Sequence, residues 1–479
     1  MRAWALAAGT AALLVVAGAV VPATASAANC GLLQIVCNIV QPPSSSTEAA
    51  PSPAPTGSTR ATPCGGLLQP ACPRPPQCRD GADNDGDGVT DLKDPGCANS
   101  EDRDESTDLA PDANGKTTSN PDVDPRQSGR LFGFSSTLSA ETQRTGITAK
   151  QETALIRMAG GNAQRIALLW HQIEPRRGQI DVHALDWLDD LYADLVQHGM
   201  RPILTVVGAP VWASDDARCP LLDFSCAMRA SREDSGRPPA DIAAYSRFVT
   251  MLAKRFPWAA IETWNEPNIK SFWRTARWPN PDRMARMQCA AYDAIHAQGA
   301  TGPVLAPGLS AVVGNGTPGL HEPYLRFVRA LHKAMGRRCW DGLAVHLYPT
   351  SDVVGAGSST ARGMQVVRRV RTEVGDTTPI WITEAGASTT GGVGGDHGDT
   401  QRTETEQRRM LRAYVNEMLT TPDVGAVMLH SLRDSPTVQS SSGFAYGFGV
   451  LKDFAGPYPA PKPSYCHFAN VAGTDYPGC

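Results

Sequence analysis

From residue 130 to the end, the chain alternates between short apolar runs and longer segments whose apolar residues return every three or four positions. The short runs read as buried strands at 131–136, 164–170, 202–207, 260–265, 304–309, 343–348, 380–384 and 426–431. The longer ones read as helices lying on a sheet. In 240–256, Ile242, Tyr245, Phe248, Val249, Leu252 and Phe256 form one apolar stripe; Leu185, Leu188, Tyr192 and Leu195 form another. Eight strand–helix alternations in about 350 residues favour an α/β fold of the (β/α)8 TIM-barrel type over an open doubly wound sheet. No Gly-x-Gly-x-x-Gly turn follows the first strand, which argues against a dinucleotide site.

Before residue 130 this periodicity is absent, and the chain divides by composition. Arg2 precedes a mostly apolar run ending in small residues around Ala25 and Ala27, the pattern of a secretory signal peptide over 1–27. Residues 28–76 hold two similar loops, CGLLQIVC and CGGLLQPAC, around a Pro/Ser/Thr-rich stretch that reads as a linker. Residues 77–106 contain Asp83, Asp85 and Asp87 at alternate positions, then Gly88, Asp91 and Asp94. These occupy the ligand and turn positions of an EF-hand-like loop, and hard oxygen donors at this density suit a structural Ca2+. The stretch resembles the Asp-rich calcium repeats of dockerin and thrombospondin type 3 modules, with Asp94 where a bidentate Glu is usual. Residues 107–129 read as a second linker, leaving 130–479 as the (β/α)8 domain.

Twelve cysteines in a secreted chain suggest disulfides, and their positions fall into local pairs: Cys30/Cys37, Cys64/Cys72, Cys78/Cys97, Cys219/Cys226, Cys289/Cys339 and Cys466/Cys479. A net charge of −4 provides no basic field for nucleic acid, and no later run is apolar enough to span a bilayer.

Two strand ends carry the candidate chemistry. Ile261-Glu262-Thr263-Trp264-Asn265-Glu266-Pro267-Asn268 delivers Asn265 and Glu266 at the carboxyl end of the fourth strand, and Pro267 terminates it. Ile380-Trp381-Ile382-Thr383-Glu384 ends the seventh in another carboxylate. In a barrel both reach the rim where catalytic groups sit. Two carboxyls roughly 5–5.5 Å apart are what a retaining glycosidase requires, one as acid/base and one as nucleophile. Spacing alone does not say which is which, and partial burial beside Trp264 would favour a protonated Glu266. No cofactor is needed, because two carboxylates can perform all proton transfer and displacement.

The sequences WNEPN and WITEAG resemble the clan A glycoside hydrolases, in particular the family 39 and family 5 type, over residues 130–465. The resemblance implies Glu266 as acid/base, Glu384 as nucleophile and Asn265 on the sugar 2-hydroxyl. It also implies Arg165 holding the nucleophile ionised, His346 lining the site and Tyr348 hydrogen-bonded to the nucleophile. Trp170 and Trp212 are candidate sugar platforms at the rim. His430 stands where the clan often has an aromatic floor, a departure that bears on specificity. The expectation is a secreted retaining β-glycosidase acting on a polysaccharide or oligosaccharide. A carbohydrate-binding protein without activity and an inverting enzyme or transglycosylase on the same scaffold are the alternatives; sugar, linkage, endo or exo action and oligomeric state stay open.

Overall fold

The computed structural model describes residues 76–82, 90, 122–136, 148–215, 236–275, 278–311, 324–349, 358–390, 402–434, 447–452 and 458–479, all within the compact unit Leu67–Cys479. The signal peptide, the paired loops at 30–37 and 64–72, the aspartates Asp83, Asp85, Asp87, Asp91 and Asp94, and the Cys219/Cys226 pair lie outside these residues.

Nine parallel strands form one sheet: β1 (Leu131–Ser136), β2 (Ala163–Leu169), β3 (Arg201–Val207), β4 (Ala260–Glu262), β5 (Val304–Leu305), β6 (Leu309–Ser310), β7 (Leu343–His346), β8 (Ile380–Ala385) and β9 (Val424–His430). The order is β5-β4-β3-β2-β1-β9-β8-β7-β6. Its two ends are successive pieces of one run, so β4 is joined to β7 through 304–310, with bridges at Asn265↔Gly308 and Leu305↔Gly342. The eight expected strands thus appear with the fifth broken in two. Pro307 lies in the break, where it brings no N–H to a ladder.

Helices cover the outside. Ile242–Arg255 begins at Asp241, whose carboxylate accepts the Ala244 N–H at 2.9 Å, and Val182–Gln197 is capped likewise by Asp181. The apolar stripes seen in the sequence are the buried faces. Leu185, Leu188, Leu195, Tyr245, Phe248, Val249, Leu252 and Phe256 belong to one core between sheet and helices. Disulfides join Cys289 to Cys339 and Cys466 to Cys479 as their spacing suggested, and Cys78 is disulfide-bonded. Among the described residues no helix is long and apolar enough to cross a membrane.

Inside the barrel is a second, smaller core: Ala163, Ile203, Ala260, Leu305, Ala344, Trp381, Ala426 and Met428. Four of these are alanines, which leaves room for the Trp381 indole. This layer is the floor on which the functional groups stand.

Candidate active site

Strand periodicity places the next layer. Two residues beyond Ala163, Ile203, Ala260 and Ala344 come Arg165, Thr205, Glu262 and His346, on the same inward face. All four are buried. One strand breaks the rule. Val345 pairs with Ile382, but His346 pairs with Glu384, so β8 carries an extra residue at Thr383. Regular alternation from the inward Trp381 would turn Thr383 inward and Glu384 out into the helical layer. The bulge returns Glu384 to the barrel interior.

Glu266 is delivered differently. The β4 ladder ends at Glu262, earlier than the sequence suggested, and the chain runs on to Asn265 and Glu266 beside the broken fifth strand. Gly308 N–H donates to the Trp264 carbonyl at 2.9 Å, and Glu266 N–H donates to the Gly308 carbonyl at 2.7 Å. Asn268 fastens the same segment, its side chain donating to the Ser310 carbonyl at 2.8 Å and accepting the Ser310 N–H at 3.1 Å. Glu266 itself has φ +42°, a left-handed conformation that costs a side-chain-bearing residue about 1–3 kcal/mol and concentrates at functional positions.

Arg165 ties the layer together. Its Nε and Nη2 reach Glu262 Oε2 at 2.8 and 2.6 Å, Nη1 donates to Glu384 Oε1 at 2.6 Å, and Nη2 donates to Asn265 Oδ1 at 2.8 Å. Guanidinium can only donate, so the Asn265 oxygen faces it and the amide N–H groups are left for another partner. Glu384 Oε2 accepts the Tyr348 hydroxyl at 2.8 Å and lies 3.4 Å from His346 Nδ1. Burial alone would raise the Glu384 pKa. The charges on His346 and Arg165, with the Tyr348 hydroxyl, outweigh it and hold the carboxyl well below the ordinary range.

His346 bridges the two carboxylates, with Nδ1 also 2.8 Å from Glu266 Oε1. Burial disfavours its charged form, but Glu384 and Glu266 overcome this and raise its pKa. The nearest donor atoms of Glu266, His346 and Glu384 all lie within 4.8 Å of one another, the one grouping with metal-ligand spacing among the described residues. The Arg165 guanidinium, 2.6 Å from one of those carboxylates, opposes a cation there.

Sequence reasoning gathered Glu266, Glu384, Asn265, Arg165, His346 and Tyr348, and the fold brings all six together. His430 ends β9, its ring 5.6 Å from Phe448, which is equally 5.6 Å from Tyr348. Burial lowers the His430 pKa, disfavouring its charged form. The tryptophans depart from expectation. Trp170 does not end a strand at the rim; it opens the helical turn Trp170–Ile173, which swings its indole into the outer core. There it is fully buried, stacked on Phe248, with Nε1 donating to Glu174 Oε2 at 2.8 Å, so it presents no face to a sugar. Trp212 has the Arg177 guanidinium over its ring at 4.6 Å and donates to the Glu174 carbonyl. Trp264 likewise packs on Tyr245 and Trp273, so the polar group on the Glu266 carboxyl is His346. Glu262, Thr205, Gly308 and Asn268 were missed as site residues. The inward alternation through Ala260 and Glu262 was the available signal for the first of them.

No protein-family model and no curated protein matches the chain. Solved structures share its fold. The GH5_18 protein from Bifidobacterium longum subsp. infantis matches 72% of this chain and 78% of its own, at 15% identity and a TM-score of 0.50. Fpglu1 from Fervidobacterium pennivoraus matches 72% of this chain and 95% of its own, at 14% identity and a TM-score of 0.50. A family 39 glycoside hydrolase from Bacteroides cellulosilyticus is 18% identical over 72% of this chain with a TM-score of 0.48, and this chain spans 64% of its length. At such identities the likeness is one of fold.

Proposed function

We propose that the protein is a secreted retaining β-glycosidase that hydrolyses O-glycosidic bonds of a polysaccharide or oligosaccharide. The observation that carries this reading is the pairing of two differently treated carboxyls within one buried cluster. Glu384 is held ionised by Arg165 and Tyr348, as a nucleophile must be. Glu266 contacts His346 instead, and its nearest oxygen lies within 4.8 Å of one on Glu384. That closeness supports direct displacement with retention; an inverting pair stands roughly 6.5–9.5 Å apart to admit a water.

In the first step Glu384 attacks the anomeric carbon while Glu266 gives its proton to the departing glycosidic oxygen. In the second, Glu266 removes a proton from water, which attacks the same carbon and releases Glu384. Asn265, with its oxygen committed to Arg165, offers its amide N–H to the sugar 2-hydroxyl, a hydrogen bond that tightens in the transition state. His430, which shares the Phe448 ring as a neighbour with Tyr348, is the candidate floor of the sugar site. The family 5 description of one fold relative is consistent with this chemistry.

The N-terminal residues add two proposals: export by the 1–27 segment, and a structural Ca2+ on Asp83, Asp85, Asp87, Asp91 and Asp94. Calorimetric titration of the mature protein with and without the Asp83→Ala and Asp85→Ala changes tests the second. Activity is tested on a panel of 4-nitrophenyl β-glycosides. Glu384→Ala is expected to lower kcat by at least ~10^4, a loss comparable to removing the central nucleophile of other covalent enzymes. Glu266→Ala should affect poor leaving groups far more than nitrophenolate. Binding to sugars without turnover of any glycoside would favour the carbohydrate-binding alternative.

A further inference from the structure

Around the site runs a nearly continuous ring of polar contacts with one gap. From Glu384 it passes to Arg165, then to Glu262, and it resumes at His346, which touches Glu266 and Glu384. Glu262 is wholly buried. Its Oε2 is crowded with donors, taking Arg165 twice and the Thr205 hydroxyl. Its Oε1 has no hydrogen-bond partner, and neither has Nε2 of the equally buried His346.

Two orphaned polar atoms in one buried cluster require a reason, since each unmade bond costs about 1–3 kcal/mol. Gly308 supplies it. A side-chain carbon at 308 would lie 2.4 Å from His346 Nε2 and 2.7 Å from Glu262 Oε1. Both atoms therefore converge on one spot beside Gly308, and they can approach it because residue 308 has no side chain. A carboxylate oxygen facing a ring nitrogen across so short a space favours that nitrogen as an N–H donor.

We propose that Glu262 is a positioning residue: its carboxylate, facing His346 Nε2 across the spot beside Gly308, fixes that nitrogen as protonated and leaves Nδ1 to exchange a proton with Glu266. Glu262 thus acts on the acid/base through His346 and on the nucleophile through Arg165. With Nε2–H fixed, Nδ1 either accepts the Glu266 proton or donates to the Glu266 carboxylate, and no heavy atom need move between the two. The charged and titratable groups around this unit are Arg165 from β2, Tyr245 from Ile242–Arg255, Glu266, His346, Tyr348, Glu384 and His430.

The kinetic part rests on the glycosidase reading; the tautomer does not, so failure of one is distinguishable from failure of the other. In the intact protein with 15N-labelled histidine, assigned by comparison with His346→Gln, the His346 Nε2 signal should stay that of a protonated nitrogen across the titration while Nδ1 changes. Nε2 losing the proton would overturn the proposal whether or not any glycoside is cleaved. On an accepted 4-nitrophenyl β-glycoside, Glu262→Gln removes a negative charge that favours the protonated forms of Glu266 and Glu384. Both limbs of the kcat/KM–pH profile should therefore move to lower pH by about one unit. A uniform fall in rate with both limbs in place would show a merely structural role and overturn it. If that variant does not fold, the wild-type nitrogen spectrum decides the question.

Discussion

Two adjacent layers of the barrel interior are built by the same strands and follow opposite rules. The lower layer, Ala163, Ile203, Ala260, Leu305, Ala344, Trp381, Ala426 and Met428, is apolar and contains no group that must be satisfied except the Trp381 N–H. The upper layer, two residues further along each strand, carries Arg165, Thr205, Glu262, His346 and, through the bulge, Glu384. Its charges are buried or nearly so, and two of its polar atoms, on Glu262 and His346, lack partners. The difference shows where the fold obtains stability and where it uses it: close packing below supports desolvated charges above, whose mutual attraction in a low dielectric directs chemistry more than it stabilises.

The comparison can be broken most severely at Arg165. Arg165→Met leaves the Glu262 and Glu384 carboxylates buried without their shared counter-charge, a loss of about 3–5 kcal/mol in urea unfolding together with a large fall in kcat. The pH dependence should weaken. In the wild type the Glu384 pKa lies below its unfolded value, so its stabilising contribution is present above the ordinary carboxylate pKa and is lost as pH falls through the depressed one. Without Arg165 one of the charges that oppose burial is lost, while His346 and the Tyr348 hydroxyl remain, so the folded pKa rises toward the unfolded one. The variant should then lose less stability than the wild type on acidification below the ordinary carboxylate range.

A lower-layer change should have an effect of the opposite kind. Trp381→Ala opens a cavity among small residues and should cost about 3–5 kcal/mol of stability, with the limbs of the kcat/KM–pH profile unmoved. Least effect is expected outside the barrel. Trp170→Phe removes the indole hydrogen bond to Glu174 and should cost about 1 kcal/mol, with KM unchanged, because the ring packs on Phe248 and meets no substrate. A several-fold rise in KM would return Trp170 to the sugar site.

Much of this arrangement was legible in the chain. The apolar run before Glu384, and Pro267 after Glu266, mark strand ends from local chemistry alone. The (β/α)8 alternation then places those ends on one rim. What could not be read involves relations between distant segments. The Thr383 bulge is a register shift against β7 and β9, and local alternation across 380–384 would have pointed Glu384 the wrong way. Glu262 looks like an isolated charge in an apolar strand until Arg165, 97 residues earlier, is brought against it. The mistake at Trp170 had a local origin: an apolar residue continuing an apolar run reads as more strand, whereas here the chain turns helical and Glu174 receives the indole N–H.

The division of labour between the two carboxyls can be tested most directly by trapping the covalent intermediate. The protein would be incubated with the 2,4-dinitrophenyl 2-deoxy-2-fluoro-β-glycoside of an accepted sugar and mapped by peptide mass spectrometry. A single fluoroglycosyl adduct on Glu384, absent from Glu384→Gln, is the expected result. An adduct on Glu266, or steady turnover with inverted product and no adduct, would contradict it.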